Sequence, residues 1–300
     1  MEDFLAQAKQ VQWFPGHMAK TLRQLKELMP KVDIVIEITD ARIPESSRNP
    51  ELPSLIGNKP HIFLLNKSDL ADPEINKKWI DYYKKQGINA VLTDCKSGGG
   101  LKQFMTVLRS VSAPIKERNA QKGMPGKTIT VLVAGIPNTG KSSFINRMAG
   151  KAKAKVEDRA GVTRQNQRYT IDKGIDMIDT PGLLWPKFED PAVGDKLAFT
   201  GGIKDTILDI ETLAARLLTV LAEICPEKLT ARYKLEDTSG HSGFELLEML
   251  GRKRGMLLSG NEVDTERAAN TLLDEFRGGK LGRISLEVPT DSMEDENDKP

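Results

Sequence analysis

Up to Asp179 the chain alternates short apolar runs with longer amphipathic segments. The short runs have the length and β-branched content of buried strands, and the segments between them have helical spacing. This alternation predicts an α/β fold with a mostly parallel sheet flanked by helices. The predicted strands are Asp33–Thr39, His61–Leu65, Ala90–Thr93, Thr128–Ala134, Tyr169–Asp172 and Ile175–Ile178. The predicted helices between them include Pro73–Gln86, Leu101–Val111 and Ser142–Ala149.

After Gly182 the strand signals stop and the pattern becomes helical. We therefore place a domain boundary within Phe188–Asp205 and expect a first domain over residues 1–200 and a small all-helical domain over residues 201–285. The predicted helices of the second domain are Asp205–Ile224, Gly243–Leu250 and Val263–Phe276.

Two segments have the composition of irregular chain. Residues 113–127 combine proline, glycine and basic residues, which predicts a flexible connector inside the first domain. Residues 286–300 are rich in acidic residues and contain no aromatic residue, which predicts a disordered tail.

Composition narrows the class of protein without naming a function. The net charge of the 300 residues is +2, so affinity for nucleic acid would require local basic patches. The two cysteines, Cys95 and Cys225, lack metal-type spacing and indicate a reducing compartment. No run of eighteen apolar residues and no signal peptide is present. We expect a cytoplasmic protein, a monomer, with no membrane partner.

The predicted strand Thr128–Ala134 runs directly into a phosphate-loop motif, GxxxxGK[ST]. Glycines let such a loop wrap phosphates, and the backbone N–H groups at the start of the following helix point at negative charge. The Lys141 ammonium would reach the β- and γ-phosphates, and the Ser142 hydroxyl would hold Mg²⁺. The candidate binding residues here are Gly135, Asn138, Thr139, Gly140, Lys141, Ser142 and Ser143.

A DxxG motif, Asp179 to Gly182, follows the predicted strand Ile175–Ile178. Asp179 could reach Mg²⁺ through water, and Gly182 could offer its N–H to the γ-phosphate. Between the two motifs, Thr163 is the candidate switch threonine that closes over Mg²⁺. An ordinary loop threonine is the alternative.

Two earlier loops indicate guanine. Asp69 ends an NKxD sequence, Asn66-Lys67-Ser68-Asp69, and its carboxylate can accept from both N1–H and the N2 amino group of guanine. Asn66 would tie this loop to the others, and the stem of Lys67 would lie along the base. The later sequence Asp94-Cys95-Lys96 looks like the SAK loop of GTPases. There the Cys95 N–H would meet guanine O6, with its side chain a packed small residue and not a nucleophile.

The motifs stand in an unusual order, because the base-reading loops precede the phosphate loop. In Ras-like GTPases the order is reversed. The binding site depends on where the loops lie in space and not on their order in the sequence. Joining the termini of a Ras-like domain through a connector, with new termini elsewhere, therefore preserves the site. The sequence therefore predicts a circularly permuted Ras-like GTPase domain that hydrolyses GTP to GDP and phosphate.

The chain, apart from its acidic tail, resembles the YlqF/RbgA family of circularly permuted GTPases, which act in bacterial large-ribosomal-subunit assembly. The resemblance implies a helical domain that contacts ribosomal RNA and GTP hydrolysis stimulated by the large (50S) subunit. Its specific marks are Trp13-Phe14-Pro15-Gly16-His17-Met18, Asp40-Ala41-Arg42-Ile43-Pro44, Ser46-Ser47-Arg48-Asn49-Pro50, Asn138 and Leu184-Trp185-Pro186-Lys187-Phe188.

The resemblance also supplies two candidates for mechanism. Leu183 stands where Ras-like enzymes carry a glutamine that orients water, and His17 is the candidate replacement. The alternative is that His17 is structural or contacts RNA. In related GTPases an asparagine at the position of Asn138 helps to coordinate K⁺. Here the alternative is an asparagine that only tolerates the turn.

Three functions remain open from the sequence. The first is a GTPase that assembles the large ribosomal subunit, the second a GTPase acting on another RNA target such as a tRNA-modification complex, and the third a nucleotide-dependent binding module with little hydrolysis. Basic side chains in the helical region favour an RNA partner. They are Arg252, Lys253, Arg254, Arg267, Arg277, Lys280 and Arg283.

Overall fold

This computed structural model describes residue 23 and residues 25–150, 168–179, 190–203 and 209–290. These residues form two compact units. The sheet unit contains the described residues up to 179 together with residues 285–290, and the helical unit contains residues 190–203 and 209–284. The helical unit thus begins before residue 201, and the segment 285–290 belongs to the sheet unit instead of to a disordered tail.

The sheet unit is built on six strands in the order β3-β2-β1-β4-β6-β5. All neighbouring strands are parallel except β5 and β6, which form an antiparallel pair at one edge. Every residue of β1 and of β4 is buried, as expected for the centre of a parallel sheet. The strands are β1 (Ile34–Asp40), β2 (His61–Asn66), β3 (Asn89–Leu92), β4 (Ile129–Ala134), β5 (Arg168–Asp172) and β6 (Ile175–Asp179).

Helices cover both faces of this sheet. Phe104 of α3 and Phe144 of α4 lie in one apolar cluster with the isoleucines of β1. Trp79 and Tyr83 of α2 form a second cluster with Leu65 of β2. The helices are α1 (Leu52–Ile56), α2 (Pro73–Lys85), α3 (Leu101–Gln121) and α4 (Lys141–Gly150).

The predicted flexible connector at residues 113–127 is wrong for most of its length. Helix α3 continues through Pro114 to Gln121, and the segment that joins it to β4 is only residues 122–128. Buried side chains recur with helical spacing at Phe104, Leu108 and Ile115, so the packed face extends past the proline. That packing outweighs the one backbone hydrogen bond that a proline removes.

The helical unit contains α5 (Pro191–Phe199), α6 (Ile210–Ile224), α7 (Pro226–Tyr233), α8 (Gly243–Lys253) and α9 (Thr265–Arg277). Helices α6, α8 and α9 pack against one another through leucine faces. Helix α6 begins at Ile210, where the Asp209 carboxylate accepts from the N–H groups of Glu211 and Thr212. Residues 205–208 of the predicted helix lie outside the described residues. Asp264 caps α9 by accepting from the N–H of Arg267. None of the helices in the described ranges is both long and apolar enough to cross a bilayer.

Candidate nucleotide-binding site

The carboxyl ends of the parallel strands meet at one edge of the sheet and carry the predicted motifs. The sequence 66–69 follows β2, residues 94–96 follow β3, the phosphate loop follows β4, and Asp179 ends β6. The chain leaves β1 toward β2 but leaves β4 toward β6, and such a reversal opens a crevice where nucleotides bind. Three predicted site residues lie outside the described residues: His17, Thr163 and Gly182.

Two positions of the phosphate loop require glycine because neighbouring atoms leave no room for a Cβ. Gly135 has φ +150°, and a Cβ there would lie 2.5 Å from the carbonyl oxygen of Ile38. Gly140 has φ +100°, and a Cβ there would lie 2.1 Å from Nδ2 of Asn66. The second contact shows that the base-reading loop packs directly on the phosphate loop.

Lys141 lies at the start of α4 with its Nζ donating to the carbonyl oxygen of Ile136 at 3.0 Å. Burial lowers the pKa of Lys141 to about 8, and Asp179 acts in the opposite direction. Phosphate oxygens beside this ammonium would favour its charged form. Lys141 therefore has the position and the electrostatics of a phosphate ligand.

Groups that suit Mg²⁺ lie close to the phosphate loop. Strands β4 and β6 are neighbours, and Asp179 pairs in register with Val133, two residues before Gly135. Ser142 is exposed in the first turn of α4, as is Ser143. A carboxylate, a hydroxyl and phosphate oxygens are the hard ligands that Mg²⁺ prefers, so the residues present fit this ion.

Asn138 has φ +61° and an exposed side chain. Asparagine tolerates this left-handed conformation better than most residues. The geometry agrees with a turn role and leaves the side chain at the surface of the loop. A K⁺ ligand role for Asn138 stays a prediction.

Asn66 links the three loops, as the sequence predicts. Its Nδ2 donates to the carbonyl oxygen of Thr139 at 2.7 Å, and its Oδ1 accepts from the N–H of Cys95 at 2.9 Å. The Cys95 N–H is thus engaged by the Asn66 side chain in this structure. The predicted contact of this N–H with guanine O6 stays a prediction.

The Asp94 carboxylate shapes the rest of this loop. It accepts from the N–H groups of Lys96 at 2.8 Å and Ser97 at 3.2 Å. Burial alone would raise the pKa of Asp94, but these hydrogen bonds and Arg147 hold it below its usual value. Cys95 itself is buried, and burial raises the pKa of its thiol to about 11. It packs in the apolar core, as predicted for a small side chain at this position.

Arg147 supports the same loop from α4, and its role was not visible in the sequence. Its Nε donates to the carbonyl oxygen of Cys95 at 3.2 Å, and its Nη2 donates to that of Lys96. One side chain on the phosphate-loop helix thus holds a loop fifty residues earlier. Nothing in the local sequence marks an exposed helical arginine for this contact.

Lys67 and Asp69 complete the base-reading loop. Lys67 has φ +59°, and its Nζ lies 2.9 Å from Oδ2 of Asp40. Asp69 is exposed in the loop that follows β2. Asp40 was noted in the sequence only as part of a family motif, without a role.

The basic positions of the helical unit divide into two sets. Arg277 is half-buried and donates to the carbonyl oxygens of Phe199 and Ala198 at 3.1 and 2.7 Å, so it supports the fold. The other basic side chains of the predicted set are exposed. They are Arg252, Lys253, Arg254, Arg267, Lys280 and Arg283.

Comparisons with known proteins find GTPases. A family model described as 50S ribosome-binding GTPase matches residues 130–252. Ribosome biogenesis GTPase A of Priestia megaterium is 44% identical over 283 residues, covering 94% of this chain and 98% of that protein. A solved structure of GDP-bound YlqF has 29% identity and a TM-score of 0.65, covering 89% of this chain and 99% of that chain. GNP-bound YlqF from T. maritima has 28% identity and a TM-score of 0.62, covering 90% and 99%.

The sheet order, the phosphate loop and the match over nearly the whole length lead to one identification. The chain belongs to the ribosome biogenesis GTPase A family, the YlqF/RbgA family, and is a circularly permuted GTPase that binds guanine nucleotides and hydrolyses GTP.

Proposed function

We propose that this GTPase serves the assembly of the large ribosomal subunit, and that binding to the subunit stimulates its hydrolysis of GTP. The observation that carries the proposal is the match to relatives named ribosome biogenesis GTPase A, together with a family model described as 50S ribosome-binding. The exposed basic side chains of the helical unit support ribosomal RNA as the contact, since they could neutralise phosphates.

In this proposal each site residue has a defined task. Asp69 reads the guanine edge, with the Lys67 stem along the ring. Lys141 and the amides of the phosphate loop hold the phosphates, while Ser142, Thr163 and Asp179 serve Mg²⁺. The ion would neutralise charge on the β- and γ-phosphates. Asn66, Asp94 and Arg147 shape the loops instead of touching the ligand.

Single-turnover phosphate release tests the proposal. The protein with bound GTP is mixed with purified large subunits, small subunits or bulk tRNA, each at saturating concentration. We expect acceleration by large subunits alone. Acceleration only by tRNA would indicate a tRNA-modification target, and no acceleration by any RNA would indicate a binding module with little hydrolysis.

His17 is the proposed water-orienting residue, and His17→Ala in the same assay tests it. We expect GTP affinity close to that of the wild type and a loss of subunit-stimulated turnover of roughly ten- to a thousandfold, the scale of one positioned catalytic group. His241→Ala changes an exposed histidine of the helical unit and is the matched control. If bound His17→Ala turns over normally, His17 is structural or contacts RNA.

A second ion, K⁺, is proposed beside Asn138, where it would offset charge between the phosphates. We expect faster hydrolysis in K⁺ than in Na⁺ at equal ionic strength. Asn138→Gly keeps the left-handed backbone and removes the side-chain oxygen, so it should abolish the difference. Asn146→Gly alters an exposed asparagine of α4 and controls for changes to the helix. Equal wild-type rates in the two salts would remove this role.

A further inference from the structure

Residues 285–290, which we call the C-terminal strap, return from the helical unit and lie on the sheet unit. The Glu287 carboxylate accepts from the N–H groups of Glu45 at 2.8 Å and Ser46 at 3.2 Å, and also from the Ser46 hydroxyl. Its backbone carbonyl accepts from Nε1 of the buried Trp79 at 3.2 Å. A carboxylate that accepts three hydrogen bonds fixes the strap and the loop beneath it together.

The strap also contacts the loop that follows β1. The N–H of Leu286 donates to the carbonyl oxygen of Arg42 at 2.8 Å. Arg42 is only 1% exposed, and its guanidinium grips Asp40 with two hydrogen bonds, Nε to Oδ1 at 3.0 Å and Nη2 to Oδ2 at 2.8 Å. The backbone position of Arg42 therefore determines where the Asp40 carboxylate stands.

Asp40 in turn holds the lysine of the base-reading loop. Its Oδ2 lies 2.9 Å from Nζ of Lys67. Burial alone would raise the pKa of Asp40, but Arg42 and Lys67 beside it hold the pKa well below its usual range, so the group is an anion. A lysine has a flexible stem of four carbons and needs such a fixed anion to keep one conformation.

These contacts form one continuous path of packed polar groups from the strap to the nucleotide-binding edge. We propose that the C-terminal strap is a positioning element for guanine-nucleotide binding: Glu287 anchors the strap to Glu45 and Ser46, Leu286 fixes the backbone of Arg42, Arg42 fixes Asp40, and Asp40 aligns Lys67 against the base. This role rests on the base-reading function proposed above for the loop 66–69. Arg42 and Asp40 act through Lys67 in this path, so both are positioning residues.

The dissociation rate of a fluorescent GDP analogue from the full-length protein tests this path. Glu287→Gln removes the charge and one acceptor, and we expect it to speed dissociation by roughly three- to thirtyfold, the range known for coupling through packed networks. Val288→Ala changes an exposed side chain of the same strap and should alter the rate by less than twofold. Thermal unfolding of each variant reports whether the fold is retained.

A double-mutant cycle separates positioning from a general loss of stability. Lys67→Met keeps the apolar stem and loses the ammonium, so it disconnects the base-reading loop from Asp40. In this background Glu287→Gln should change GDP dissociation by less than twofold. An equal effect of Glu287→Gln in both backgrounds, or no effect in the wild type, would overturn the proposal.

A second strap variant and the Lys67→Met protein alone distinguish the remaining explanations. Should Glu287→Gln unfold, Leu286→Pro removes the N–H that donates to Arg42, while it also replaces the side chain and restricts φ, and is expected to speed dissociation in the same way. A Lys67→Met protein with wild-type GDP dissociation would contradict the base-reading role of Lys67 itself. Impaired Lys67→Met together with unaffected Glu287→Gln and Leu286→Pro would contradict the strap alone.

Discussion

Asn66 uses both ends of its side-chain amide inside the protein. Its nitrogen donates to the phosphate loop and its oxygen accepts from the loop after β3. Both groups are committed to protein partners, so Asn66 sets the spacing of the loops. Under the proposed function, discrimination of the base would fall to Asp69.

Asp69→Asn should weaken GTP binding by about 1–3 kcal/mol, because the amide presents one acceptor where guanine offers two donors. The same amide can donate to the extra carbonyl of xanthine, so xanthine nucleotides should compete. Isothermal titration calorimetry with both nucleotides measures the change.

The matched control is Asp81→Asn, which alters an exposed aspartate on α2 and should leave affinity within about 0.5 kcal/mol of the wild type. Unchanged GTP affinity in Asp69→Asn would mean that another group reads the guanine edge.

At the scale of elements, the strands were predictable and the helix ends were less so. Each predicted strand agrees with the observed one to within a residue at either end. For the central strands the reason is that a buried parallel strand is a continuous apolar run. Helix α3 was predicted to stop at Val111, since Pro114 and the basic residues after it resemble a linker. The buried side chain of Ile115 packs on the sheet unit, and the helix continues to Gln121.

The candidate site also has parts that the sequence predicts and parts that it does not. The phosphate loop and the NKxD loop could be predicted, because their chemistry requires particular residues at fixed spacing along the chain. The supports could not, because they depend on contacts between distant segments. Arg147 reaches a loop 51 residues away, and Glu287 holds Ser46 across 241 residues. Local sequence contains no trace of such partners.

At the scale of the whole molecule, the chain leaves β6 at Asp179 and reaches the first helix of the helical unit at Pro191. A nucleotide that binds one conformation of the segment after Asp179 more tightly shifts the conformational equilibrium of the attached unit. The free energy of that shift cannot exceed the difference between the binding free energies of the two conformations. We therefore expect partition onto large ribosomal subunits to be stronger with a non-hydrolysable GTP analogue than with GDP, measured by co-sedimentation.

The affinity of the protein for large ribosomal subunits should also fall steeply as the salt concentration rises. If the six exposed basic side chains each neutralise one phosphate, a plot of log affinity against log salt should have a slope of about −4 to −5. Arg252→Glu with Lys253→Glu should flatten that slope, whereas Lys77→Glu on α2 of the sheet unit should not.

For the nucleotide dependence of ribosome binding predicted above, identical partition in GDP and in the GTP analogue would contradict the prediction.

The pairing of β1 with β4 has a consequence for how the molecule is made. Ile34 lies beside Val131, so the centre of the sheet joins two segments that are far apart in the sequence. During synthesis the guanine-reading half emerges first and must wait for the phosphate-binding half, and such non-local pairing folds slowly. A guanine nucleotide held by the proposed residues would contact both halves, and would therefore bind only after they have paired. The substrate would then also act as a folding ligand, which draws newly made chains toward the closed sheet by mass action.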